Sequence, residues 1–523
     1  MLWVFISVLA AYYVYEKIYK PSLYWTKRGV FHSKPWVRFF KTFIRRKAIA
    51  ETVKEAYDLY PDRRYFGSFQ FLYPSLFLRD IDLIKKVTVK DFEHFPDHLL
   101  VFNNDNDPLT NSSLFALKGE KWKNMRATLS PAFTSSKMKS MFILMNEIAE
   151  NYVKNLGRNE EKLKEIEMKD LFSKYTTDII ATCAFGIDVD SLENDQNDFF
   201  FMGKAITKTT ILGALKAVCI GFFPKITGYF GLRVFPSKVT DFFSQTMKET
   251  IAYREKQNIV RPDMVHLLLE ARRGNLKIED KENVPETGFA TVKESYGIKS
   301  SGKIEITDDL MTGQALIFFF AGFETGSTVM SFLSYELALN TEIQSKLQQE
   351  IDEAMQKCND NITYEEILSL KYLDQVISET LRKYPPGFAL NRQCTKNYKI
   401  EAKLEHENDL IVEKGCSIVI PVFAIHRDPQ FFPEPDKFEP DRFSEENKGN
   451  ILAGTYMPFG SGPRNCIASR FALLETKALM VQIFSKFEVY PIEKTSIPLK
   501  LAKTQMLGSA DGFWLGLRKR NDK

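Results

Sequence analysis

Cys466 lies in a segment whose residue types could prepare a reactive sulfur. Residues 459–468 have the sequence Phe-Gly-Ser-Gly-Pro-Arg-Asn-Cys-Ile-Ala and join a polar, proline-rich stretch to an apolar one. The glycines and proline predict a turn in which a Cβ would be crowded, and Phe459 and Ile467 flank the sulfur with apolar surface. An amphipathic helix is predicted over 467–484. The positive end of its dipole, together with Arg464, favours a thiolate, which could be a metal ligand or a nucleophile.

Three other roles for Cys466 are less consistent with the sequence. A lone cysteine is usually a buried structural residue, but the glycines and arginine around this one are unusual for that role. A cysteine-nucleophile hydrolase needs a histidine base, and the six histidines are scattered along the chain. Zinc needs several Cys or His ligands at short spacing, and none accompany Cys466.

The segment resembles the Phe-x-x-Gly-x-Arg-x-Cys signature of the cytochrome P-450 monooxygenases, whose cysteine ligates haem iron. The resemblance implies that Cys466 is the axial ligand of haem b. It also implies that Phe459 and Arg464 contact the haem, Arg464 through a propionate. The family usually has glycine two residues after the cysteine, where this chain has Ala468. We expect the extra methyl to shift helix packing slightly without preventing haem binding.

A second chemical feature lies within a long apolar helix that is predicted to begin after an N-cap at Thr307. Ala321 and Gly322 leave a gap on one face, and the Thr325 hydroxyl can bond to the Ala321 carbonyl. By itself, this pattern is more typical of a close helix crossing. It resembles the family's Ala-Gly-x-x-Thr motif, which implies that Ala321 and Gly322 lie beside the haem. Thr325 would then hydrogen-bond the activated oxygen, and Glu324 would help to relay protons.

Trp122 and Arg126 are four residues apart and share one face of a predicted helix, so both could reach the same anion. A packed tryptophan beside a solvated arginine is the commoner arrangement. The pair resembles the Trp-x-x-x-Arg of the family's C helix, where both residues bind a haem propionate. Lys121 and Lys123 lie on other faces. They are either ordinary solvated lysines or part of a surface for an acidic flavoprotein.

Three charged residues are predicted to support the fold beneath the haem. Glu379 and Arg382 are three residues apart, and as a surface pair they would contribute only about 0.2 to 0.5 kcal/mol. They resemble the family's Glu-x-x-Arg motif, and Arg442 lies in a match to Pro-x-Arg-Phe. The resemblance implies that the three charges lock together in the interior. It also implies that Arg392, in an extended segment over 388–394, contacts a propionate.

Composition agrees with one large apolar core. The 523 residues are 44% hydrophobic and include 43 Phe, which suits a protein that houses a flat apolar cofactor. A net charge of +4 is too small to indicate nucleic acid binding. The six cysteines have no C-x-x-C spacing, which is typical of a reducing cytosolic environment.

The first residues predict an N-terminal membrane anchor over 1–20. As a helix, the apolar run 2–15 would be about 21 Å long, against a hydrocarbon core of about 30 Å. The basic residues follow this run, which places the body on the cytosolic side. A signal peptide would need a basic region before the run and a small-residue cleavage site after it. A proline-flanked linker is predicted over 21–35 and a haem-thiolate domain over 36–523.

Other segments indicate how the domain is organised. Strand-like patterns within 67–78 predict a small sheet. The aromatic, glycine-broken segments 219–224 and 229–235 either pack inside or lie against the bilayer, and their resemblance to the family's F-to-G loop favours the bilayer. The polar stretch 275–303 is predicted to be a surface loop.

The sequence therefore predicts a mainly α fold with a minor β region, the cytochrome P-450 fold. Haem would lie between the Gly322 helix and the Cys466 loop. The implied reaction inserts one atom of dioxygen into an apolar small molecule. Its electrons come from NADPH through NADPH-cytochrome P-450 reductase, with cytochrome b5 as a second candidate donor. The anchor resembles the microsomal type, on the endoplasmic reticulum membrane, and the overall pattern resembles insect enzymes that clear xenobiotics and insecticides.

Other functions stay open at this point. A hydroxylase of an endogenous hormone or lipid would carry the same motifs. A haem-thiolate isomerase or dehydratase would not need the Glu324 and Thr325 pair. A non-catalytic haem carrier or sensor would need neither that pair nor an apolar entry.

Overall fold

The computed structural model describes Phe5, Ser7, Val8 and Tyr12 and residues 15–32, 47–70, 73–99, 108–194, 196–208, 210–233, 235–261, 263–274, 287–292, 305–504 and 506–520. This part of the chain is mainly helical with three small sheets, so the predicted fold class is confirmed. The α-helices of four or more residues are α1 Ile49–Asp58, α2 Ile81–Lys85, α3 Pro108–Ser112, α4 Gly119–Leu129, α5 Ser135–Leu156, α6 Glu160–Leu163, α7 Met168–Ile180, α8 Asp198–Thr207, α9 Ile211–Phe222, α10 Pro224–Tyr229, α11 Ser237–Gln257, α12 Met264–Arg273, α13 Asp308–Leu339, α14 Thr341–Lys357, α15 Tyr364–Ser369, α16 Lys371–Lys383, α17 Val422–Ile425 and α18 Ser469–Lys486. The strands are β1 Tyr65–Gln70, β2 Tyr73–Leu78, β3 Ile166–Glu167, β4 Leu390–Gln393, β5 Tyr398–Ile400, β6 Leu410–Val412, β7 Ser417–Ile420, β8 Phe487–Pro491 and β9 Trp514–Lys519.

The long helix α13 runs through the core and contacts α7, α11, α16 and α18. Thr307 caps it as predicted, because its hydroxyl accepts a hydrogen bond from the Leu310 N–H at 3.2 Å. Within the described residues, α13 is the one helix long and apolar enough to cross a membrane, but 67% of its most apolar window is buried inside the domain. Its composition is therefore that of a core helix.

Helix α18 follows the Cys466 loop and differs from the prediction. It begins at Ser469 rather than at Ile467, and it is buried on almost all sides, including Glu475 and Lys477. The predicted amphipathic helix is thus a core helix. The reason is that α5, α13 and α14 all pack against it, which leaves little of its surface for solvent.

The largest sheet has the order β1-β2-β7-β4 and positions the segment after α16. β1 and β2 are antiparallel, β2 and β7 are parallel, and β4 is antiparallel to β7. Arg392 lies on β4 opposite Ile418. The strands predicted within 67–78 and the extended segment predicted over 388–394 are confirmed.

The described part of the predicted linker packs against β1. Trp25 is fully buried, and its indole N–H donates to the Ser68 carbonyl at 2.7 Å. A Cβ on Gly67 would lie 2.5 Å from the Trp25 ring, so only glycine leaves room for this contact. Most of the predicted anchor lies outside the described residues, and the domain boundaries stay a prediction.

The polar stretch 275–303 is described only over residues 287–292. Thr287 and Ala290 are buried there. The prediction of a surface loop is wrong for these two residues, and the other four are half-buried, because the segment packs on α16 and α18.

Candidate active site

Glycines shape the loop that carries Cys466. Gly460 and Gly462 have φ of +82° and +73°, in the left-handed region that favours glycine. A Cβ on Gly462 would also lie 1.8 Å from the Thr88 carbonyl oxygen. The loop closes where the Cys466 N–H donates to the Phe459 carbonyl at 2.8 Å. The predicted turn is therefore present. Both glycines are favoured by their backbone conformation, and Gly462 is also required for space.

Cys466 is exposed, although the residues on either side of it, Asn465 and Ile467, are buried. Two other cysteines contrast with it. Burial raises the pKa of the Cys394 thiol to about 11 and also raises the pKa of the Cys183 thiol. Such thiols stay protonated and unreactive, so the accessible sulfur of Cys466 is better suited to bind a metal.

Trp122, Arg126 and Arg464 lie together at the Cys466 loop. Arg126, on α4, donates from its two Nη atoms to the backbone and side-chain oxygens of Asn465, each at 2.8 Å. The Arg464 guanidinium lies 4.0 Å from the centre of the Trp122 ring and donates to the Leu117 carbonyl at 2.7 Å. The helix face predicted to hold Trp122 and Arg126 is therefore directed at the cysteine loop.

Arg392 reaches the same loop from β4. Its Nη2 donates to the Ser461 carbonyl at 3.2 Å, and the residue is 1% exposed. Burial lowers the pKa of Arg392 to about 10 and that of Arg464 to about 9, although Asp97, 3.5 Å from Arg464, opposes the second shift. Within the described residues, no carboxylate contacts Arg392 and its Nε has no hydrogen-bond partner. A cation buried in this way requires a counter-charge.

The middle of α13 has an accessible face, although the residues on either side of it in the helix are mostly buried. Ala321 is exposed, and Gly322 and Thr325 are half-buried. Ala321 and Thr325 are one turn apart and share a face, and the Thr325 hydroxyl donates to the Ala321 carbonyl at 2.7 Å, as predicted. This face offers an accessible hydroxyl beside a small residue.

Glu379, Arg382 and Arg442 form a buried cluster. Arg382 donates to both carboxylate oxygens of Glu379 at 2.7 and 2.9 Å, and both side chains are fully buried. Arg442 Nε lies 3.5 Å from the same carboxylate. The geometry expected of the Glu-x-x-Arg and Pro-x-Arg-Phe matches is thus present.

The sequence model of the family described as Cytochrome P450 matches residues 34–512, which is most of the chain. The chain belongs to the cytochrome P450 family. Cytochrome P450 9e2 of Blattella germanica is 43% identical over 498 residues, covering 92% of this chain and 90% of the relative. Probable cytochrome P450 9f2 of Drosophila melanogaster is 38% identical over 537 residues and all of both chains. Cytochrome P450 6k1 of Blattella germanica is 35% identical and covers 97% of this chain and 94% of the relative.

As a P450, the protein is a haem-dependent monooxygenase that uses haem b and NADPH-derived electrons supplied through a reductase. The residues at the cysteine loop fit this cofactor. The buried Arg392 guanidinium lacks a carboxylate within the described residues, and a haem propionate has the charge and shape to supply one. No group of three or more His, Cys, Asp or Glu side chains in the described part could hold a bare metal ion. Cys219 is exposed as well, but of the two only Cys466 lies on the loop that the arginines contact, where one thiolate suits iron that a porphyrin already holds.

His98 is a neighbour of this P450's arginines that the sequence did not indicate. Its Nδ1 lies 3.0 Å from the Asn391 carbonyl oxygen, and its ring stacks on Phe115 at 4.5 Å. Burial lowers the pKa of His98 well below its usual value, and the charges of Arg392 and Arg464 lower it further. The ring is therefore neutral at pH 7 and donates from Nδ1. Since 294 residues separate His98 from Arg392, no local pattern could have linked them.

Glu324 contacts a second residue that the sequence did not indicate. Its Oε1 lies 3.2 Å from Lys169 Nζ, which is on α7. Burial lowers the pKa of Lys169, and the Glu324 carboxylate partly offsets this shift. The structure thus brings Glu324 close to Thr325 along the helix but directs its carboxylate to a cation on a neighbouring helix.

Proposed function

We propose that Cys466 is the axial ligand of the haem iron and that Trp122, Arg126, Arg392 and Arg464 bind the propionates. The supporting observation is the convergence of these side chains on one loop, with a buried guanidinium that lacks a carboxylate in the described chain. Phe459 would line the haem beside the sulfur. When bound, the haem supplies the oxygen-activating chemistry, which a cysteine thiolate promotes by donating electron density.

The half-buried face of α13 would lie on the other side of the haem. Ala321 and Gly322 leave room for oxygen and water, and the Thr325 hydroxyl can rotate from the Ala321 carbonyl to donate there. Glu324 would bring protons from the Lys169 side of the helix to Thr325. Glu379, Arg382 and Arg442 would hold the fold around the cysteine loop and take no part in the chemistry.

The substrates would be apolar foreign compounds, including insecticides. Two observations support this class. The chain resembles insect P450s over almost its whole length, and the accessible face of α13 carries Phe318 and Ala321, with no charged side chain. NADPH-cytochrome P-450 reductase would be the electron donor, and cytochrome b5 could supply the second electron. Hydroxylation of an endogenous hormone or lipid is the alternative that the same face would allow.

The enzyme would act at the endoplasmic reticulum membrane, with its catalytic domain on the cytosolic side. The apolar N-terminal run is one argument. A second is a cluster of exposed apolar side chains on and just after α9 and α10: Leu212, Ile226, Tyr229 and Phe230, which are 76, 55, 86 and 71% exposed. Large apolar side chains are costly to expose to water, whereas a substrate entry at a bilayer would bury them in lipid.

The test is the difference spectrum of the reduced protein with and without carbon monoxide, for wild type and Cys466→His. A strongly red-shifted Soret band in the wild type alone is expected from thiolate ligation. A haem-loaded wild type without that band would contradict Cys466 as the ligand. Substrate-dependent NADPH consumption with reductase then separates a monooxygenase from an isomerase, a dehydratase or a haem carrier.

A further inference from the structure

Residues 287–292, Thr-Gly-Phe-Ala-Thr-Val, form a short segment that we name the strap. It belongs to the connection between α12 and α13. Thr287 and Ala290 are only 1% and 5% exposed, and the Thr291 N–H donates to the Gly288 carbonyl at 3.0 Å, which closes a turn. The connection is otherwise rich in charged residues. Such deep burial of a few residues within it indicates a site that is shaped for them.

Polar groups of α16 and α18 bind the strap backbone. Lys477 Nζ donates to the Thr287 carbonyl at 2.8 Å, and Asp374 Oδ2 accepts from the Phe289 N–H at 2.8 Å. Lys477 and Asp374 are 3.4 Å apart, and the lysine side chain is fully buried. Among the described residues, the strap therefore supplies the hydrogen-bond acceptor of this buried ammonium group, which would be costly to leave unsatisfied.

The site also selects side chains. A Cβ on Gly288 would lie 2.0 Å from Asp374 Oδ1, so the carboxylate that binds the strap also excludes larger residues. The Phe289 ring lies 5.1 Å from the Phe443 ring and 5.5 Å from the Tyr456 ring. These distances are those of aromatic pairs, so the site requires glycine followed by an aromatic residue.

The strap packs on residues that adjoin the buried cluster of Glu379, Arg382 and Arg442. Phe443 directly follows Arg442 in a 3-10 turn, and Tyr456 donates to the Ser378 carbonyl, next to Glu379, at 3.0 Å. The two rings that contact Phe289 are thus connected to different parts of the cluster. Phe443 is next to Arg442, and Tyr456 is bonded to the segment that carries Glu379. Displacement of the strap would remove packing from each of them.

We propose that Asp374, Lys477, Phe443 and Tyr456 form a binding site for a Thr-Gly-Phe-Ala peptide, which the chain's own strap occupies. Through this site, the connection between α12 and α13 braces the Glu379, Arg382 and Arg442 cluster and slows haem loss. The bracing role rests on the proposed function of the cluster, whereas the peptide site does not.

The first experiment measures binding of a fluorescent peptide of residues 285–294 to the full-length protein. The double variant Gly288→Val and Phe289→Ala should free the site and bind the peptide, whereas the wild type should not. A peptide in which alanine replaces the phenylalanine should bind neither protein. Equal binding to both proteins, or no binding to a folded variant, would overturn the site.

Two further measurements keep the proposal testable if that variant does not fold. In wild type, hydrogen exchange at the Phe289 amide should be at least about tenfold slower than in the free peptide, and equal rates would overturn the site. Haem transfer to apomyoglobin should be faster from Phe289→Ala than from wild type or from Tyr253→Ala, an exposed control on α11. Unchanged transfer would overturn the bracing role alone. Failure of the carbon monoxide test would instead contradict Cys466 ligation.

Discussion

Lys169 Nζ lies 3.2 Å from the Glu324 carboxylate and also donates to the hydroxyls of Ser327 and Thr328 at 2.8 and 2.6 Å. This half-buried ammonium contacts four groups of α13, because it also donates to the Glu324 carbonyl at 2.9 Å. In the proposed proton relay, the Glu324 carboxylate would have to turn from Lys169 towards Thr325. The strength of the ion pair would then set how readily Glu324 takes part.

We expect Glu324→Gln to lower the free energy of unfolding by roughly 1 to 3 kcal/mol at pH 7, because it leaves a half-buried ammonium without its carboxylate. Burial already lowers the pKa of Lys169, and loss of Glu324 lowers it further. The variant's deficit should therefore shrink as the pH rises and Lys169 deprotonates. Urea unfolding at pH 7 and pH 9 measures this. Glu342→Gln, at an exposed position, is the control, and a deficit that does not change with pH would contradict the assignment.

Gly462→Ala should prevent the cysteine loop from forming. The new methyl would meet the Thr88 backbone at 1.8 Å, and the residue would have to keep a φ of +73°. We expect little haem in the purified variant, measured as the ratio of Soret to protein absorbance. Gly387→Ala meets no atom within 4 Å and should retain normal haem content. Normal haem in Gly462→Ala would show that the loop conformation is wrong.

Arg392→Met, which keeps most of the side-chain volume, should have opposite effects on the two forms of the protein. In the haem-free protein, the change removes a buried cation that no described carboxylate contacts, so unfolding stability should not fall. In the haem-loaded protein, it removes a propionate partner, so haem should dissociate about tenfold faster, equivalent to about 1.4 kcal/mol. Arg158→Ala, at an exposed position, should change neither quantity. A haem-free variant that is clearly less stable would contradict the inferred counter-charge.

Asp178 should make stability depend on pH near neutrality. Burial raises its pKa from the ordinary 3.8 to about 7, although the Ser191 N–H donates to its carboxylate. The folded protein therefore holds this proton more tightly than the unfolded chain. Its contribution to stability is complete below about pH 4 and is lost as the pH rises through about 7.

Asp178→Asn removes this dependence. As the pH rises from 5 to 8, the free energy of unfolding of the variant should increase relative to that of wild type, by at most about 1.4 kcal/mol for each pH unit. Thermal unfolding at the two pH values measures the change, and the exposed Asp188→Asn is the control. A difference from wild type that stays constant with pH would refute the raised pKa.

The sequence predicted those parts of the site that short motifs encode. The glycine turn before Cys466, the Thr307 cap and the Thr325 hydrogen bond are local, so residue type and spacing were enough. The Trp122 and Arg126 face was predicted for the same reason. None of these predictions needed contacts between distant segments.

Residues that meet only in the folded chain were not predicted. His98 and Lys169 reach the site from segments without a motif, and their roles depend on burial and on charges far along the sequence. The strap was predicted to be exposed because its neighbours in sequence are polar. Helix α18 was expected to be amphipathic. It is buried because several helices pack around it, and the hydrophobic periodicity of a sequence does not show how many neighbours a helix has.

Trp25 limits how far the N-terminus can be shortened to obtain a water-soluble enzyme. Removal of residues 1–20 leaves this ring in its place over Gly67, with the indole N–H bonded to Ser68. Removal of residues 1–35 would delete a fully buried tryptophan. It would also expose the edge of β1 and an apolar surface beside it, which would promote aggregation. A truncated enzyme for crystallisation should therefore begin between residues 21 and 24.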